Sequence, residues 1–83
     1  MNIKNKKALG QNFIFDKNFL KKISDFIETS PTSILIEIGP GPGTLTKFLI
    51  KKKFKKLIII EKDLRLISNL NNLFCSSKID ILN

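Results

Sequence analysis

Histidine is absent from this sequence, and cysteine occurs once, at Cys75. A single thiol cannot form an internal disulfide, and without imidazole a zinc cluster lacks its ligands, so no metal site is expected. Both absences fit a reducing, cytoplasmic compartment, with Cys75 as an inert packing residue. Long apolar runs are missing too. The longest uninterrupted one is the four residues Leu57 to Ile60, far short of the roughly 20 that a membrane span needs or the roughly 7 to 15 of a signal-peptide core. No membrane segment is expected.

What is present belongs to a soluble globular chain. Of its 83 residues, 42% are hydrophobic and 27% charged, which excludes a disordered tail or a fibre and allows one domain at most. A chain this short buries only about 60 to 65% of the surface its unfolded form exposes, so its core is marginal unless something completes it. Fifteen Lys and Arg against seven Asp and Glu give a formal charge of +8, which draws a protein toward a polyanion such as RNA or an acidic membrane. Fourteen of those fifteen are Lys, and Ile and Asn are also abundant. An AT-rich coding sequence produces that bias unaided, so charge alone does not assign a partner.

The order of elements follows from periodicity. Met1 to Phe15 is basic and shows neither a helical nor an alternating period, which predicts an arm over residues 1–15. Phe19, Leu20, Ile23, Phe26 and Ile27 then mark one face of a helix, with Asp16 as N-cap and Pro31 as its stop. Ser33 to Ile38 is rich in Ile and runs straight into glycine and proline, the pattern of a buried strand. Thr44 can cap a second helix carrying Leu45, Phe48 and Leu49 on one face, and Lys51, Lys52 and Lys53 complement the dipole near its end. Leu57 to Ile60 is the continuous apolar strand expected where helices cover both faces of a parallel sheet. Leu64, Ile67, Leu70 and Phe74 mark a third helix, and Ile79 to Leu82 a third strand. With no repeat, linker or low-complexity tract, this alternation implies right-handed βαβ crossovers in a parallel sheet.

The most specific feature is Glu37-Ile38-Gly39-Pro40-Gly41-Pro42-Gly43, placed where a strand turns into a helix. Ligands of open α/β sheets sit beyond the carboxyl ends of the strands, and glycines there let the backbone approach them. On its own such a loop can be no more than a tight turn. Glu61, however, stands at the end of the next strand, 22 residues after Gly39, where a carboxylate can accept hydrogen bonds from ribose hydroxyls. Together the two features point to an adenosine-containing cofactor. A dinucleotide pyrophosphate wants successive backbone N–H donors, and Pro40 and Pro42 supply none. The spacing is GxGxG rather than GxGxxG. S-adenosyl-L-methionine has no phosphate, and its cationic sulfonium suits a carboxylate such as Glu37 beside the loop.

The segments Gly10-Gln11-Asn12-Phe13, Ile36-Glu37-Ile38-Gly39-Pro40-Gly41-Pro42-Gly43-Thr44-Leu45-Thr46 and Ile60-Glu61-Lys62-Asp63 closely resemble the N-terminal part of the ribosomal RNA small-subunit adenine dimethyltransferases. The likeness runs from about Lys6 to the end of the chain. Antibiotic-resistance dimethyltransferases acting on large-subunit RNA share much of the pattern and are the nearest confusable relatives. The resemblance implies an α/β, Rossmann-like methyltransferase fold, incomplete here: a three-layer arrangement with a parallel sheet of which residues 16–83 supply the first three strands. It implies that Gln11, Asn12 and the backbone near Ile14 fold over the cofactor, that Gly39, Gly41 and Gly43 line its methionine end, and that Glu61 holds the ribose. Ile14 stands where the family usually has leucine and keeps the apolar character.

By the same resemblance the reaction is transfer of two methyl groups to the exocyclic N6 amine of adenine in 16S ribosomal RNA, on the small ribosomal subunit, by a protein that is monomeric at full length. The family's Asn-Leu-Pro-Tyr-like motif and its adenine-gripping Asp lie beyond Asn83, so this polypeptide alone is expected to bind cofactor weakly and not to methylate. The first strand is central in the family sheet, so Ser33 to Ile38 is expected here to form an uncovered apolar edge. Two other readings compete: an RNA-binding module without catalysis, using the basic arm and Lys51 to Lys56, and half of a dinucleotide-dependent oxidoreductase, which the loop prolines disfavour.

Overall fold

The computed structural model describes residues 16–83. The predicted arm over residues 1–15, with Gln11, Asn12 and Ile14, lies outside them. The first helix, α1, spans Lys17–Phe26. Asp16 caps it as expected: its backbone is extended and its carboxylate accepts the N–H groups of Asn18 and Phe19 at 2.9 and 3.2 Å. Pro31 is not its stop. The chain leaves the helix at Ile27, which is already extended, four residues before the proline. The buried face is also shifted. Leu20 and Ser24 are buried and Ile27 half-buried, while Phe26 is exposed. A small serine sits there because α1 packs against the second helix, and Lys52 reaches across to donate to the Ser24 carbonyl at 2.7 Å.

Three strands, β1 (Ile34–Ile38), β2 (Lys56–Ile60) and β3 (Ile79–Leu82), form one parallel sheet in the order β1-β2-β3. Ile38 lies opposite Ile60, and Ile60 opposite Leu82. Between the strands run α2 (Thr44–Leu49) and α3 (Leu64–Leu73). The α/β architecture with a parallel sheet is therefore the one the residue pattern implied. The cap of α2 is a correction: the residue before it is Gly43, in a left-handed conformation and without a side-chain bond, and Thr44 is the first helical residue. Lys51, Lys52 and Lys53 come directly after the C-cap of α2, Ile50, near the helix end as expected.

One core lies on one face of the sheet. Leu49 of α2, Leu70 of α3, Phe54 and Phe74 pack with Leu57 and Ile59 of β2. Leu57, Ile59 and Leu70 are wholly buried, and burial of such a side chain stabilises by about 1.5 to 3 kcal/mol. The alternate residues point the other way. Ile34, Ile36 and Ile38 are 59%, 62% and 78% exposed, and Ile60 is exposed as well. Helices on both faces of β2 were expected; among the described residues they cover one. The cause is topological: strands laid down in sequence order with crossovers of one hand put every connecting helix on the same side. Leu64, expected on the apolar face of α3, sits at its start and is exposed.

Candidate functional site

At the carboxyl ends of the strands, β1 turns into α2 through Gly39-Pro40-Gly41-Pro42-Gly43. All three glycines have positive φ, at 65°, 57° and 88°. For Gly43 packing adds a second constraint: a Cβ there would lie 2.7 Å from Phe74 Cε2 and 3.3 Å from Leu70 Cδ2. The loop is thus seated directly on α3. Around Gly39 and Gly41 a Cβ would meet nothing within 4 Å, so that side of the loop is open. The loop also has few free donors. Gly39 N–H is used by the Ile60 carbonyl at 2.8 Å and Gly43 N–H by the Pro40 carbonyl at 3.0 Å. With Pro40 and Pro42 lacking an N–H, Gly41 alone keeps a loop N–H without a protein acceptor among the described residues.

Two carboxylates flank this turn. Glu37, the penultimate residue of β1, is 8% exposed and accepts a 2.6 Å hydrogen bond from the Thr46 hydroxyl, itself wholly buried. Burial pushes the Glu37 carboxyl above its ordinary pKa, and the Thr46 hydroxyl, which favours the ionised form, opposes this only in part. Glu37 lines a recess of about 230 Å³ together with Leu20, Ile38, Gly39, Pro40 and Thr44. Glu61 follows β2 and is 7% exposed. Its carboxylate Oε2 accepts the Asp63 N–H at 2.9 Å, while its own N–H joins the Leu82 carbonyl at 2.9 Å. Because Ile38 and Ile60 are register partners, Gly39 and Glu61 come next on strands roughly 4.8 Å apart.

The structure therefore brings Glu37, Gly39, Gly41, Gly43 and Glu61 to one end of the sheet. Gln11, Asn12 and Ile14 fall outside the described residues. Sequence reasoning missed Thr46 and Leu20. Thr46 was legible in principle, as a hydroxyl one turn into a helix among Leu45, Phe48 and Leu49, the position from which a side chain faces back under the preceding strand. Asp63 ends the Ile60-Glu61-Lys62-Asp63 segment. It caps α3 through the Arg65 N–H at 2.9 Å, and the Arg65 guanidinium, hydrogen-bonded to it, holds its carboxyl below the ordinary value. Among the described residues no group of His, Cys, Asp and Glu could hold a metal ion, and no helix is long and apolar enough to cross a membrane.

The profile of ribosomal RNA adenine dimethylase matches residues 2–83. The chain belongs to that family. It is 42% identical over 80 residues to the ribosomal RNA small subunit methyltransferase A of Mycoplasma capricolum, an alignment covering 96% of this chain and 30% of that protein. The protein of the same name from Pelagibacter ubique is 49% identical over 63 residues, covering 76% and 24%. That from Geobacillus is 52% identical over 62 residues, covering 75% and 21%. The chain thus spans at most 30% of the length of these relatives. The glycine turn and Glu61 lie within the stretch that the family profile covers.

Proposed function

We propose that the chain is the cofactor-binding part of an S-adenosylmethionine-dependent enzyme that dimethylates adenine N6 in ribosomal RNA of the small subunit. The observation that carries this reading is a strand-to-helix turn with a single free N–H donor beside a buried carboxylate on β1 and another at the end of β2. Such a turn is poorly equipped for a pyrophosphate and well suited to a cation. Residues of this chain would divide the work. Gly39 and Gly41 leave room for the methionine end. Glu37, in the adjoining recess, sets a negative charge near the sulfonium, and a cation there favours its ionised form. The Glu61 carboxylate, held by the Asp63 N–H through one oxygen, offers the other to ribose hydroxyls.

S-adenosylmethionine, when bound, supplies an electrophilic methyl group. The protein's part is positional: to hold the amine of an unstacked adenine in line with that methyl. The recess of about 230 Å³ is smaller than a typical site for a whole cofactor. It fits the methionine end, with the adenosyl part lying toward Glu61. The arm over residues 1–15, with Gln11, Asn12 and Ile14, closes the site in this reading. A cytoplasmic enzyme, monomeric at full length and acting on the small ribosomal subunit, completes it; the names of the relatives support both the RNA and the subunit.

Calorimetric titration tests the assignment. S-adenosylmethionine should bind in clear preference to a nicotinamide dinucleotide, and Glu61→Gln should weaken it by roughly ten- to a hundredfold, the usual effect of losing charge-assisted hydrogen bonds. Equal or better binding of the dinucleotide would overturn it.

A further inference from the structure

The opposite end of the sheet differs in charge and shape. All three helices run from the glycine-loop pole toward the amino ends of the strands, where the chain places Lys51, Lys52, Lys53, Lys55, Lys56 and Lys78. A cavity of about 580 Å³, larger than the recess beside the glycine loop, opens there. Lys52, Lys53 and Lys78 line it with Phe54, Phe74 and Ser76, and no carboxylate does.

Part of this charge has a structural use. Lys52 donates to the Ser24 carbonyl at the end of α1, Lys56 pairs with Asp80 at 3.3 Å, and Lys51 lies 5.9 Å from the centre of the Phe48 ring. Helix carboxyl ends attract cations as well, each equivalent to roughly half a negative charge at most. Even when three such ends, Asp80 and Glu28 are all set against the six lysines, roughly two to three positive charges remain. They reside on Lys53, Lys55 and Lys78, which are exposed and make no ion pair among the described residues. The N–H groups of Cys75 and Ser76 at the cavity wall likewise have no protein acceptor among these residues.

We propose that this pole is a second RNA contact, in which Lys53, Lys55 and Lys78 hold phosphates of the RNA backbone at a cavity roughly 17 Å, the length of a five-residue strand, from the methyl-transfer end. Phe54 and Phe74 are buried and offer no ring for a base to stack on, so the contact reads charge and not sequence. The inference rests on the reading of RNA as substrate, but it concerns a different surface from the cofactor site.

The test uses the full chain and a ~20-nucleotide RNA hairpin, with affinity measured from roughly 50 to 200 mM salt. Each phosphate contact contributes roughly 0.7 to 0.9 to the slope of log affinity against log salt. The variant Lys53→Gln/Lys55→Gln/Lys78→Gln should therefore lose roughly 2 to 3 from that slope. Lys17→Gln/Lys22→Gln/Lys47→Gln removes equal charge from exposed positions elsewhere and should lose far less. An equal loss in both variants, or none in the first, overturns the proposal. So does preferential binding to phosphatidylserine vesicles over RNA at the same salt, abolished in the first variant, which would make the pole a membrane contact. S-adenosylmethionine titration of the same variants separates the two readings. Retained cofactor binding with an unchanged salt slope sinks the second contact alone, whereas a lost slope in a chain that ignores the cofactor sinks the enzyme reading alone.

Discussion

Glu37 carries a consequence of its burial into solution behaviour. Its carboxyl titrates above the ordinary value, so the folded protein holds that proton more tightly than the unfolded chain. The associated stability is present below about pH 4.5, the unperturbed value, and is lost as pH rises through the raised one. Glu37→Gln keeps an acceptor for the Thr46 hydroxyl and removes the titration. Its melting temperature should exceed that of the parent at neutral pH and lack the decline that the parent shows on leaving the acid range. Affinity for a sulfonium should follow the opposite course in the parent, rising as Glu37 ionises, and should be flat over this range in the variant. Gly43 and Gly41 make a second pair at this scale. A methyl at Gly41 meets open space and costs about 1 kcal/mol of backbone strain. At Gly43 the same methyl collides with Phe74, and the total should reach about 2 to 3 kcal/mol. Urea denaturation of the two alanine variants measures the difference, and equal costs would mean that the loop does not press on α3.

Among the elements, α1 depends most visibly on one side chain. Asp16 satisfies two of its free N–H groups, and Asp16→Ala should destabilise the protein by about 1 kcal/mol, measured by thermal unfolding. Element type was readable because the three strands are short Ile-rich runs, while Leu20 and Ile23 in α1, and Ile67 and Leu70 in α3, recur at helical spacing. Element ends and buried faces were less so. Pro31 looked like a stop, yet the helix had ended earlier, since proline forbids helix near itself without requiring helix up to itself. Phe26 looked like core, yet Ser24 took the inner position because close approach of α1 to α2 favours a small residue. Thr44 looked like a cap, yet the turn demanded a left-handed residue before α2, a backbone requirement that only Gly43 meets. At the candidate site, the glycine turn between strand and helix and the place of Glu61 at a strand end were legible from the residue pattern. The Thr46 bond to Glu37 was not, because it joins residues nine apart across a loop whose shape the sequence does not state.

For the molecule as a whole the uneven covering of the sheet matters most. Ile34, Ile36 and Ile38 form an exposed apolar row on the strand that ends the sheet in the described residues, an arrangement that invites pairing with another chain. Sedimentation of the purified chain should show association that increases with concentration. Ile36→Lys should suppress it while leaving the circular dichroism spectrum unchanged, because its side chain lies outside the core. Persistent association in that variant would place the contact elsewhere.

Strand order has one more effect. Each strand pairs with the one just before it in the chain, and α1 packs on the next helix, α2. Register partners such as Ile34 and Lys56, or Leu57 and Ile79, are separated by one whole crossover, so no pairing spans the full chain. Such a chain can condense piece by piece as it leaves a ribosome at roughly 5 to 20 residues per second. The glycine turn would then find its seat only when α3 has followed β2, since Gly43 rests on Leu70 and Phe74.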